Sequence, residues 1–61
     1  MTLKDLISVL DVDTQINVAE NYKEVFDGRY AEYGDLTEAQ LQKPVKVVWY
    51  SQFYNRIMIE I

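Results

Sequence analysis

No cysteine and no histidine occur anywhere in this 61-residue chain. That absence removes the usual supports of a very small domain. Disulfides cannot form, and zinc sites built from thiolate or imidazole are excluded. A chain of about 60 residues buries only about 60% of the surface that its unfolded form exposes. Its hydrophobic gain therefore comes out close to the entropy cost of ordering the backbone. The composition is nonetheless that of a folded chain: 49% of the residues are apolar, and five Tyr, two Phe and one Trp supply bulky core material. A single domain over residues 1–61 is expected, with self-association as the remaining support. A two-fold dimer or a pair of dimers is the simplest homo-oligomer.

The hydropathy pattern changes period along the chain. Leu3, Leu6, Ile7 and Leu10 recur at i, i+3, i+4 and i+7, one apolar stripe of a helix over residues 3–10. Thr2 and Asp5 have the spacing of a capping box. Past Asp13 the period becomes two. Ile16 and Val18 point one way and Gln15 and Asn17 the other, which predicts a strand over 15–20. A second extended run, with Val25, Phe26 and Tyr30, should close a hairpin, and Gly28 within it marks a bulge or a close backbone approach. Gly34 and Asp35 turn the chain. Thr37 and Gln40 repeat the capping-box spacing before a helix over 38–42, tacked down by Leu36 and Leu41 and stopped by Pro44. Two more alternating runs follow. Val45, Val47 and Trp49 oppose Lys46, Val48 and Tyr50; Ile57, Ile59 and Ile61 oppose Met58 and Glu60.

The fold class expected is α+β: a four-stranded antiparallel sheet packed against the short N-terminal helix, in the order α-β-β-α-β-β with a short second helix. The expected core is Leu3, Leu6, Ile7, Leu10, Ile16, Val18, Phe26, Val45, Val47, Trp49, Ile57 and Ile59. Val48, Tyr50 and Met58 would then share the opposite face and form a protein-binding patch. The last strand would be a bare edge, open to pairing with a second chain.

Ten acids against six bases leave a net charge of −4. The bases form no run, which disfavours nucleic acid and anionic membranes as partners. No apolar stretch approaches the ~20 residues of a membrane span. The N-terminal ten residues lack the small-residue cleavage site of a signal peptide, and a cysteine-free chain fits a cytoplasmic location.

Chemistry is sparse. Asp11 and Asp13 sit at the helix-to-strand join, where aspartate is favoured because its carboxylate accepts bonds from nearby backbone N–H groups. The same pair could supply hard oxygen ligands to magnesium or calcium as the catalytic residues of a nuclease, with Glu32 and Asp35 approaching only if the second hairpin folds over. No other cofactor is expected, and no confident metal site. Tyr22, Tyr30, Tyr33, Tyr50 and Tyr54, with Phe53, could stack unpaired bases or fill core and interface. The stretch around Phe53, Tyr54 and Arg56 is the most base-stacking-like. Ser8 and Ser51 lack any elbow motif or basic partner, and there is no glycine-rich phosphate loop.

The segments "TLKDLISVLDVDTQINV", "VFDGRY", "DLTEAQLQKPVKVV" and "IMIEI" resemble a group of very small proteins encoded by phages and prophages of gut Firmicutes. Some phage proteins of this size inhibit CRISPR nucleases. One such group has a compact sheet-and-helix fold resembling single-stranded-DNA-binding coactivators, forms oligomers and is associated with nicking of supercoiled DNA. The resemblance implies a phage or mobile-element accessory protein with a counter-defence role, binding itself and a host or phage protein. It directs attention to Asp11 and Asp13 should the protein nick DNA. Three readings stay open: binding through a sheet edge or the Val48, Tyr50 and Met58 patch, metal-dependent nicking, and a purely structural assembly subunit.

Overall fold

The computed structural model describes the backbone of residues 1–61 and every side chain except those of Tyr30, Ala31 and Tyr33. In chain order the elements are α1 (Leu3–Ser8), β1 (Gln15–Glu20), β2 (Lys23–Arg29), a 3-10 helix (Tyr30–Asp35), α2 (Glu38–Leu41), β3 (Val47–Ser51) and β4 (Arg56–Glu60). The architecture is α+β with a four-stranded sheet, as the hydropathy pattern implies. Both capping boxes form. Thr2 Oγ1 accepts from the Asp5 N–H while Asp5 accepts from the Thr2 N–H. Thr37 and Gln40 do the same at α2.

The helices are too short to stand alone, and the backbone ties them down. Leu3 N–H donates to the Lys43 carbonyl and Val45 N–H to the Met1 carbonyl, both at 2.9 Å. This short antiparallel bridge, centred on Thr2 and Pro44, staples the start of α1 to the segment after α2. Leu3 and Ile7 then press onto the sheet, with Leu36 and Leu41 from the second half of the chain beside them.

The sheet is mixed, not antiparallel throughout. Its strand order is β2-β1-β4-β3, and β1 runs parallel to β4. A parallel pair needs a crossover of a dozen residues or more, which β2, the helices and β3 provide. Ile16 lies beside Ile57 and Val18 beside Ile59, so the central pair gathers its β-branched aliphatics on one face. β4 is therefore an interior strand and not the bare edge expected; the edges are β2 and β3. Ile61, just past β4, is also buried, and its N–H donates to the Ala19 carbonyl at 2.9 Å.

The expected core holds for Leu3, Ile7, Ile16, Val18, Phe26 and Ile59, with Leu6, Leu10, Val45 and Ile57 partly buried around them. It fails in β3. Val47 and Trp49 are 46% and 53% exposed, and Val48 and Tyr50 are 47% and 55% exposed. The register explains this. Val48 opposes Ile59 and Tyr50 opposes Ile57, whereas Trp49 opposes Met58 and Val47 opposes Glu60. Directly opposed residues share a face. Val48 and Tyr50 are thus on the helix side, at a margin the helices leave uncovered. Val47, Trp49 and Met58 are on the open side. The grouping of Val48, Tyr50 and Met58 on one face is not what forms. In a strand apolar on both faces, alternation cannot say which parity turns inward; here the hairpin register decides it.

Gly28 marks neither the bulge nor a close backbone approach; its nearest neighbour is the end of a flexible side chain. A Cβ there would come within 2.9 Å of a Glu32 carboxylate oxygen. The bulge lies at Val25, the extra residue where the β1–β2 register shifts between Val18 and Ala19. Glu20 pairs with Lys23, so the hairpin turn is Asn21–Tyr22, with φ of 54° and 66°. Positive φ at both positions is the type I′ geometry that matches strand twist, and it favours Asn then Gly. Tyr22, 90% exposed, occupies the glycine position. Tyr22→Gly should therefore stabilise the protein by about 0.5–1 kcal/mol, a rise in Tm of about 2–8 °C, readable by thermal denaturation followed by circular dichroism.

Two carboxylates tie the fold to pH. Glu20 is held below its ordinary range first by the Lys43 ammonium hydrogen-bonded to it, then by the Gln40 amide. Asp5 is held down first by the Thr2 backbone N–H and then by the Thr2 hydroxyl. Carboxyls depressed in the folded state contribute stability above their unfolded values, 4.5 and 3.8 here, and lose it as pH falls through the folded ones. Tm should fall on acidification below pH 4.5, and Glu20→Gln should flatten the upper part of that fall. Parallel melting curves from pH 6 downward check this.

Candidate functional site

At the join, Asp11 Oδ1 accepts from the Asp13 N–H at 3.3 Å, and the Asp11 carbonyl accepts from the Thr14 N–H at 3.0 Å. This is an Asx turn redirecting the chain from α1 into β1. Both acids are exposed. Glu32 does not approach them; its carboxylate sits 3.6 Å from the Arg29 guanidinium. Among the described residues no group of three or more carboxylate, imidazole or thiolate side chains is placed to hold a metal ion.

The open face of the sheet carries a polar half and an aromatic half. In the polar half, the Asn17 amide donates to Glu24 at 2.7 Å and to Asp27 at 3.3 Å, holding two carboxylates of β2 side by side. Arg56 answers them: its Nε lies 2.8 Å from Asp27 Oδ1. The Nε–H does not point at that oxygen, so the contact is an ion pair without a hydrogen bond. Arg56 Nη1 donates to the Tyr54 carbonyl at 2.9 Å. Together with Met58 these side chains line a depression of about 330 Å³.

The β3–β4 turn is a built feature. Buried Ser51 accepts the Tyr54 N–H at 3.1 Å on its hydroxyl oxygen. The Tyr50 hydroxyl donates to the Asn55 side chain, and Asn55 takes the left-handed backbone, φ 54°, that asparagine tolerates best after glycine. Phe53 is left 88% exposed, edge-on to Tyr54 with ring centroids 4.9 Å apart.

The aromatic half holds Trp49 and Met58, with Tyr22 from the β1–β2 turn. The expected tyrosine set does not assemble as one stack. Tyr50 faces the helix side, Tyr54 lines the polar depression, and Tyr22 stands at the far turn; Tyr30 and Tyr33 lie outside the described side chains. Of the expected interface residues, Tyr54, Arg56 and Met58 meet on one surface, Phe53 projects from its rim, and Val48 and Tyr50 are on the other side. Trp49, Asn17, Glu24 and Asp27 were not among the candidates. A tryptophan in a charge-free strand apolar on both faces is the one signal that points to such a surface.

The two sheet edges differ. β2 carries Lys23, Glu24, Asp27 and Arg29 together with the bulge, the devices that discourage strand addition. β3 reads VVWYS, with no charge, proline or bulge. Nothing pairs with its outer side among the described residues. No protein-family profile matches the chain, and no curated protein or solved structure is found to be similar to it.

If Asp11 serves the turn, a neutral acceptor suffices. Asp11→Asn should leave Tm unchanged and Asp11→Ala should lower it by about 2–4 °C, as melting curves of the two variants will tell.

Proposed function

We propose that this protein acts by binding, as a self-associating accessory protein of the phage or mobile-element type with a counter-defence role. One observation carries the binding part: an unprotected, charge-free edge strand, apolar on both faces, at the margin of a sheet whose other edge is guarded. A second copy is the partner it fits best. Strand addition supplies the missing backbone hydrogen bonds, and antiparallel pairing of β3 with its copy is self-complementary, as a two-fold axis requires. It would join two four-stranded sheets into one of eight and set the side chains of Val47, Val48, Trp49 and Tyr50 beside those of the copy, with both faces of the sheet left open. The counter-defence role rests on the resemblance of the sequence segments to small phage proteins.

Metal-dependent nicking finds less support. The turn at the join accounts for Asp11 without a metal, and no third acid stands with the pair. Supercoiled plasmid incubated with the wild type and magnesium is expected to stay supercoiled; nicking abolished by Asp11→Ala or Asp13→Ala would restore the enzyme reading.

Light scattering coupled to size exclusion tests the edge. The wild type at micromolar concentration should run at twice its 7.2 kDa chain mass or a multiple of it, and Val48→Lys should run as a monomer. A strictly monomeric wild type defeats self-association. In cells carrying a CRISPR nuclease, the wild type should protect a targeted plasmid and Val48→Lys should not. Equal protection by both leaves counter-defence standing without the edge, and protection by neither leaves an assembly subunit.

A further inference from the structure

The aromatic half of the open face contains a second depression, of about 210 Å³, lined by Asn17, Ala19, Tyr22, Trp49, Met58 and Glu60. We propose that it binds an organic ammonium group. The strand register builds it. Asn17 and Ala19 of β1 lie beside Met58 and Glu60 of β4, and Trp49 of β3 lies beside Met58. Ala19 is the one small side chain in the lining, so the face is hollowed at this point. Trp49 borders the hollow from the edge strand and Tyr22 from the β1–β2 turn, with Met58 between.

Its chemistry selects a cation. The faces of tryptophan and tyrosine rings attract an ammonium through their quadrupoles, and the methionine thioether offers a polarisable apolar surface. Glu60 adds a full negative charge. Among the described residues no cation lies within ion-pair distance of Glu60, whereas Glu20, Asp27 and Glu32 each have one. Arg56, on the same face, is engaged by Asp27 and the Tyr54 carbonyl, and Lys46 meets Glu60 through its backbone N–H, which donates to the Glu60 carbonyl at 2.7 Å, with no ion pair between the side chains. The hollow thus presents two aromatic side chains and an uncompensated carboxylate, with no internal cation to occupy it.

A backbone observation points the same way. Tyr22 has a positive φ of 66° at a turn position where glycine costs nothing. Its side chain is almost wholly exposed, so it stabilises no core. A strained, exposed aromatic residue is what a ligand contact requires and what folding alone does not.

The chain's single tryptophan is its own reporter. Choline is titrated against Trp49 emission of the intact protein at constant ionic strength, beside neohexyl alcohol, its uncharged isostere. Choline should give a saturable change and the isostere none. Tyr22→Gly and Glu60→Gln should each raise the choline midpoint about two- to fivefold, the range expected of one exposed cation–π or charge contact. Neither variant threatens the fold, since glycine suits position 22 and glutamine keeps the shape of Glu60. An N-acetylated, C-amidated tripeptide with central lysine, compared with its norleucine counterpart, separates the sources: saturation by choline alone assigns a small quaternary ammonium, and saturation by the lysine peptide assigns a protein side chain. The inference does not rest on self-association, and Val48→Lys, altered on the opposite face, should bind choline as the wild type does. Equal response to choline and its isostere, no saturation by choline or the lysine peptide, or an unchanged midpoint in both Tyr22→Gly and Glu60→Gln overturns it.

Discussion

The parallel pairing of β1 with β4 is the constraint on which the other features depend. It sets Ile16 beside Ile57 and Val18 beside Ile59, making a four-residue aliphatic floor on which α1 lays Leu3 and Ile7. With only two short helices to cover the sheet, that floor is as wide as the helices can shelter. Strands added outside it fall beyond the cover. On one flank β2 still contributes Phe26 and, in part, Val25, and four of its seven residues are charged. On the other flank β3 brings four large apolar side chains that the described residues leave about half exposed. The exposed surface and the compact core therefore have one cause, a core that ends one strand too early.

Local order was legible in the sequence because it is encoded locally. Both capping boxes form on the residues that spell them, since each needs only a hydroxyl and a side-chain acceptor three positions apart. The two hairpins and the helical stripe follow from period alone. What was not legible is nonlocal. Nothing in "RIMIEI" says whether its neighbour is β1 or solvent, because one apolar face, Ile57, Ile59 and Ile61, suits an interior strand and an edge alike. The parity of "VVWY" is undetermined as well: when both faces are apolar, a slip of one residue carries no penalty that the pattern reveals. The candidate site inherits this ambiguity. Tyr54, Arg56 and Met58 converge as turn and strand neighbours do, whereas Trp49 could be placed only once the β3–β4 register was known.

The open face separates its polar and apolar work. Asn17 sits between Glu24 and Asp27 and donates to both, and Arg56 offsets part of their charge. These contacts are exposed and individually weak. Their effect is positional: three β2-side carboxylate and amide groups are tied to each other, leaving the β3 side of the face free of charge except for Glu60. The aromatic hollow and the bare edge lie next to one another as a result, on the flank that the salt bridges do not reach.

Net charge sharpens this division. Two copies of a chain carrying −4 repel at long range. At contact the distribution matters more than the sum. An approach through β2 would bring Glu24 and Asp27 against carboxylates of the same kind, and an approach through the helices would face Asp5, Asp11 and Asp13. β3 is the five-residue strip where neither charge nor backbone shape opposes a neighbour. β3 is also the one strand without an acid, so the surplus of carboxylates that opposes contact elsewhere leaves open the one edge where hydrogen bonds and apolar area are both on offer.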